Sequence, residues 1–329
     1  MVTSWRIGTA TFHLWKNICV RGDPTLGKRS WHGLIWSLVT VVWLLSFMTP
    51  LLPLTIGFLM VPVLMLYVKT TTRSFILYYV GSLLVVYLLS ALQGLFLISI
   101  SLFFLPPVLA MGSLYKRKAA ARTVLTAGTV TLLGESLLSL MISALSGLNP
   151  IGSYKAMMND YFQNIMQPAL KQMLGSDQDL YLNAMVQWIP TFLIMMAVFY
   201  VFVSHGLSRW LLNKTGESIP GLRPMREWML PRTFVWLYLL ALILGLFIPT
   251  STSMVSTILQ NLLPLLIFVF TIQALAFLYY IIHQKGWNRA LPFTATALLA
   301  IMWPLMFVYS LLGVVDVAFP IRERFKKNM

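Results

Sequence analysis

Glu135 is the one acidic residue in the middle of a long apolar run. A charge at that depth is disfavoured by about 2.5–3.5 kcal/mol on insertion scales, so it should face protein or water and find a partner. Gly128, Thr131, Glu135, Ser139 and Ser143 recur at spacings of three and four, which sets them on one stripe of a helix. A small-and-polar stripe suits close helix packing with hydrogen bonds between helices. It equally suits a ligand or proton site, for which Glu135, Thr131 and Ser139 are the candidate residues.

A second group lies in the polar stretch 204–232, SHGLSRWLLNKTGESIPGLRPMREWMLPR. Arg209, Lys214, Arg223, Arg226 and Arg232 there lie within reach of an anionic inner leaflet, each adding on the order of 1 kcal/mol. The same charges serve to hold a loop on the cytoplasmic side. Pro220, Pro224 and Pro231 stiffen this stretch, and Met225, Trp228, Met229 and Leu230 offer apolar anchors. A plain tether needs none of these. Trp228 is therefore expected to pack against the bundle and Glu227 to pair with a nearby arginine. Arg223, Arg226 and Trp228 are the candidate contacts for a partner or for lipid.

No other chemistry is expected. The chain has no HExxH, Walker A loop, GxGxxG or GxSxG, so neither a catalytic residue nor a cofactor is assigned. The single Cys19 allows no internal disulfide, and His13, His32, His205 and His283 lie apart near membrane edges, without metal-ligand spacing. The net charge of +15 is read as loop orientation rather than nucleic-acid binding.

Composition sets the elements that must position these residues. Hydrophobic residues make up 58% and charged residues 10%, against about 25% charged in an ordinary soluble domain. Continuous apolar runs near 20 residues long recur, the length that crosses a bilayer core of about 30 Å. An all-α polytopic bundle of about eight to nine transmembrane segments follows. Residues 1–30 read as a cytoplasmic extension without a signal-peptide pattern. Six spans fill 31–203, at 31–48, 51–68, 74–92, 95–114, 123–145 and 183–203, with Pro50 and Pro53 marking the turn between the first two and the Pro106-Pro107 pair breaking or kinking the fourth. Residues 147–183 are the one long outer segment, an amphipathic helix bent at Pro168 and stopped near Gly175. The connector 204–232 leads to a C-terminal group, 233–329. There a span at 233–247 precedes a short outer helix up to Leu263 and a span at 264–282. Residues 290–318 with Pro304 at their middle are too few for two full crossings. An inner side for the basic tail then makes them a re-entrant or broken hairpin. Among weaker polar positions, Gln273 could pair across helices, and Asp316 near the last membrane edge could pair with tail arginines. Gly33-x-x-x-Ser37 is a small-xxx-small packing pattern.

The run Pro220–Pro231 with the aromatic-rich span after it, and the ending from Leu311 to Arg322 with its aliphatic–Gly–Asp–aromatic–Arg order, resemble the YybS-like family of predicted bacterial membrane proteins. That family has no established activity, so the resemblance implies a bacterial cell membrane location and no catalytic residues. The N-terminal half is similar in layout to the six-helix substrate-capture components of bacterial vitamin transporters. Gly33, Ser37 and Val41 stand where those components carry an Ala-x-x-x-Ala face. Two functions are consistent with these readings. One is a substrate-binding or transport-related component, with a small-molecule substrate held among the first six spans. The other is a non-transporting scaffold or regulator that docks a cytoplasmic or membrane protein partner through 204–232. Either stands in the lipid bilayer.

Overall fold

A computed structural model of the chain describes residues 30–165, 178–248, 253–288, 290–302, 304–319 and 321–322. The expected bend at Pro168 and stop near Gly175, and the extension before residue 30, lie outside the described residues. In chain order the helices are α1 (Ser30–Leu45), α2 (Leu52–Thr55), α3 (Met60–Lys69), α4 (Thr72–Ser90), α5 (Leu92–Phe103), α6 (Leu105–Lys116) and α7 (Ala121–Leu145). They continue as α8 (Pro150–Asp160), α9 (Gln178–Gln187), α10 (Ile189–Lys214), α11 (Thr233–Phe247), α12 (Met254–Gln284), α13 (Ala290–Ile301) and α14 (Leu305–Ala318). No strand occurs among the described residues. The protein is an all-α, polytopic membrane protein. Against eight to nine expected segments, five helices among the described residues are long and apolar enough to cross a bilayer, or up to seven when each bent pair is taken as one span. Three further apolar helices, in α11, α13 and α14, are shorter.

The chain divides into two compact units. One takes the described residues up to Leu132 together with Tyr200–Pro220, and the other takes Leu133–Phe199 and the residues from Gly221 onward. The divisions at Leu132 and Phe199 fall inside α7 and α10.

In the first unit α3 is buried on nearly every side, with Met60, Leu64, Met65 and Leu66 fully enclosed. A helix apolar all round belongs in an interior. α1 and α4 run side by side in the same direction. Gly33 sits under the Tyr78 ring, and Ser37 meets Ser82 at 2.7 Å. The small residues of α1 thus serve helix packing. Proline sets the two bends. The α2–α3 pair turns by 41° after Pro53, and the α5–α6 pair turns by 42° at Phe104, just before Pro106-Pro107. At the ends of α3 and α6, Lys116 donates to the Thr70 carbonyl at 2.9 Å and lies 4.0 Å over the Tyr67 ring. The basic ends that the charge pattern sets on one side therefore meet at one end of the unit.

In the second unit Tyr238, Phe270, Leu266, Ala241 and Val317 form the core. Tyr238 stacks on Phe270 with centroids 5.1 Å apart and shares a 2.7 Å hydrogen bond with Ser310. α12 departs from expectation. In place of an outer helix ending at Leu263 and a new span, one 31-residue helix runs through Pro264. Freed backbone groups in a membrane helix are tolerated when neighbours satisfy them. The carbonyl freed by Pro264 is that of Gln260; the next one, Asn261 O, accepts from Thr191 Oγ1 at 3.1 Å, and Asn261 Nδ2 donates to Gln187 O at 2.9 Å, so this turn of α12 is tied to residues 187–191. The sixth expected span likewise begins later than read, at Ile189 and Pro190 after a break at Trp188, and continues to Lys214. Its last three turns occupy the start of the expected connector. Gly216, at φ +90°, then ends the helix in a backbone conformation that side chains with a Cβ avoid.

α14 runs alongside α12 in the same direction. Gly313 lies against the Phe270 carbonyl so closely that a Cβ there would collide with it. Further along, Asp316 meets Gln273 and Arg322 reaches Tyr280. Arg322 therefore lies at the same end of the unit as the C-terminus of α12. With 12 and 14 residues, α13 and α14 rise only about 18 and 21 Å, short of a 30 Å core. The chain breaks between them around Pro304, as a re-entrant or broken pair requires.

Candidate functional site: the clasped connector and its arginine basin

The connector's second half is held by a buried ionic clasp. Asp316 is fully enclosed, and its two carboxylate oxygens accept from Arg322 Nε at 2.9 Å and Nη2 at 2.6 Å. This forked pairing matches the planar guanidinium to the carboxylate. Gln273 Nε2 donates a third hydrogen bond to Asp316 Oδ2, at 2.6 Å. A buried charge must be paired and hydrogen-bonded to be tolerated, and each partner here also reaches the connector. Gln273 Oε1 accepts from the Leu230 N–H at 3.2 Å, and Arg322 Nη1 donates to the Arg226 carbonyl at 2.9 Å. The Arg322 guanidinium lies 5.1 Å from the Tyr280 ring centre, and the Tyr280 hydroxyl donates to the Arg322 carbonyl at 3.0 Å.

The connector itself is ordered. Pro224 precedes a single 3₁₀ turn, Met225–Glu227, and the half-buried Trp228 donates its ring N–H to the Arg223 carbonyl at 2.9 Å. The Trp228 carbonyl lies 3.3 Å from Gln273 Nε2. Trp228 thus anchors its own turn and meets α12 through its backbone. The expected arginine partner of Glu227 is absent. Glu227 is exposed and makes no ion pair among the described residues, and the arginine of the clasp, Arg322, is taken by the buried Asp316.

Beside the clasp opens a cavity of about 600 Å³ lined by Arg223, Arg226, Arg232, Arg322, Glu227 and His283. A second, of about 610 Å³, is framed by Met225, Arg226, Trp287 and Phe293. A third, of about 590 Å³, lies in the first unit along Asn213 to Pro220. All three are built on the connector.

The stripe on α7 is arranged differently. Thr131 Oγ1 donates to the Ala127 carbonyl of its own helix at 2.7 Å, and Ser139 is exposed. Glu135 Oε2 is buried and has no hydrogen-bond partner among the described residues. In the first unit a polar group unread in the sequence stands on α10. Ser204, His205 and Ser208 are buried, and His205 Nδ1 pairs with the Tyr115 hydroxyl at 2.7 Å. The Ser204 and Ser208 hydroxyls and His205 Nε2 have no partner among the described residues. No group of three metal-ligating side chains occurs among the described residues.

Asp316, Arg322 and Gln273 were each visible in the sequence, Asp316 and Gln273 as pairing positions. Their convergence on the connector was not, since it depends on α14 running parallel to α12.

Comparison with known proteins agrees with this architecture. The chain is 28% identical over 228 residues to the uncharacterized protein YybS of Bacillus subtilis (strain 168), an alignment covering 66% of this chain and 73% of that protein. No solved structure matches. Residues 37–317 match the family model described as a predicted membrane protein (DUF2232), so the chain belongs to that family.

Proposed function

We propose that this protein is a non-transporting, non-enzymatic scaffold or regulator of the bacterial plasma membrane, which docks a cytoplasmic protein partner through the 204–232 connector. The observation that carries the reading is the clasp. A buried forked ion pair and a buried glutamine are spent on holding a loop in one shape. Such investment suits a surface that must be recognised. The three cavities on the same segment give that surface relief. The similarity to a Bacillus subtilis protein supports the bacterial plasma membrane. A photo-crosslinking residue in place of the exposed Glu227 tests the reading in cells. The expected result is one discrete protein adduct that disappears when Asp316→Ala releases the connector. A diffuse smear, or an adduct indifferent to Asp316→Ala, would overturn it.

A second reading is favoured by one observation, the buried and unpartnered Glu135 Oε2. It makes the protein a substrate-binding or transport-related component like the capture subunits of bacterial vitamin transporters, with Glu135 as the group that meets the small molecule. Native mass spectrometry of the purified protein tests it. A retained small molecule lost in Glu135→Gln is expected on this reading, and no retained molecule in the parent would sink it.

A further inference from the structure

We propose that the arginine basin binds the phosphate of an anionic phospholipid headgroup. The inference rests on the fixed connector described above and names a ligand for one of its cavities. Arg223, Arg226 and Arg232 line the basin and make no ion pair among the described residues. Arg322 is already neutralised by Asp316, so Glu227 alone opposes three guanidinium groups and the basin keeps a surplus of two positive charges. Guanidinium groups in a fixed cluster match phosphate oxygens in geometry as well as charge. The clasp supplies the fixity, because Arg322 holds the Arg226 carbonyl and Gln273 holds Leu230.

The depth of the basin selects a lipid over a free phosphate. Arg232 immediately precedes the apolar α11, His283 and Gln284 end α12, and Phe319 follows α14. Three membrane helices thus end at its rim, the level at which headgroups lie. Met229 and Phe319 line the same cavity and are 51% and 59% exposed. A free anion has no use for these apolar walls, whereas the glycerol backbone and first methylenes of a lipid would cover them.

The test uses the full chain in nanodiscs of phosphatidylcholine alone or with phosphatidylglycerol, with lipid retention read by native mass spectrometry after release. Phosphatidylglycerol is expected to be retained in preference to phosphatidylcholine. The triple variant Arg223→Gln, Arg226→Gln, Arg232→Gln should reduce that preference about 100-fold at low ionic strength, the product of roughly fivefold for each charge. Equal retention of the two lipids by the parent, or an unchanged preference in the triple variant, would overturn the proposal. So would displacement of phosphatidylglycerol by millimolar inorganic phosphate, which would assign the basin to a free anion. Limited proteolysis of the same samples separates this from the docking reading. A protease-resistant connector without lipid preference removes only the lipid. A connector cleaved as readily as an unfolded loop in the parent removes both.

Discussion

The two halves of the connector are fastened by the same chemistry at different depths. In the first unit Lys69 Nζ meets Glu217 Oε1 at a single 3.3 Å contact, and the Glu217 side chain is 30% exposed. Arg209 Nε adds a bond to the Ile219 carbonyl at 3.1 Å. In the second unit Asp316 is wholly enclosed and holds Arg322 through two bonds. Water reaches the Glu217 carboxylate and competes for it, although the Lys69 side chain is buried, so this pair is screened from one side only and stands between a surface pair and an enclosed one. Removing one partner of the second leaves a largely buried charge without its counter-ion, which is unfavourable by about 3–5 kcal/mol. An ion pair's weight is set by what surrounds it rather than by the residues in it. The half that carries the arginine basin is the half with the enclosed pair.

Breaking the enclosed pair should have the largest effect. Asp316→Ala is expected to lower stability in detergent by about 3–5 kcal/mol, seen as a fall in the thermal midpoint, and to expose 223–232 to protease. A fall no larger than that of a surface variant would erase the contrast between the halves. Next comes the close helix approach that brings the clasp together. Gly313→Val forces a side chain into the Phe270 carbonyl, and overpacking of this kind typically costs about 1–3 kcal/mol. The same measurement checks it, with increased cleavage of the connector as the second sign. Trp228→Ala removes the bond to Arg223 O and a half-buried ring. A loss of about 1–2 kcal/mol is expected from the bond and the lost contact together. Unchanged melting and unchanged proteolysis would mark the turn as a tether. A change no larger than that of Trp228→Ala should come from Glu217→Gln, about 1–2 kcal/mol, because the glutamine oxygen can still accept from the buried Lys69 while the charge attraction is lost. Salt sharpens the comparison. Raising ionic strength should shrink the Glu217→Gln effect and leave that of Asp316→Ala nearly intact, because buried pairs are screened far less.

Much of the fold was legible because membrane helices announce themselves by length and composition. The bend at the Pro106-Pro107 pair was readable, since proline acts on the backbone locally, whereas Pro53 was read only as part of the turn before the second span and the 41° bend after it was not. Asp316 was readable as a partner for tail arginines, because a carboxylate at a membrane edge demands a cation nearby. Pro264 misled the reading. A proline in a membrane helix need not end it when neighbouring segments hold the turn around it, and Thr191 and Gln187, about 70 residues away, bond to Asn261 one turn before Pro264. Glu227 misled it in the opposite way. Proximity in sequence to three arginines does not make a pair when every side chain concerned can reach water.

What the sequence determined by itself was the class of protein, the approximate position of most apolar helices along the chain and the segment with the richest polar chemistry. All three follow from local quantities, namely apolar run length, proline positions and the density of basic residues. Only the tertiary structure decided what that segment does with its charges. The direction of α14 relative to α12 places Asp316 beside Gln273 and Arg322 beside Arg226, and the absence of a Cβ at Gly313 lets the two helices approach closely enough at Phe270. Enclosure is a property of the assembled helices, and it divides the connector's two ion pairs into a loose one and a fixed one.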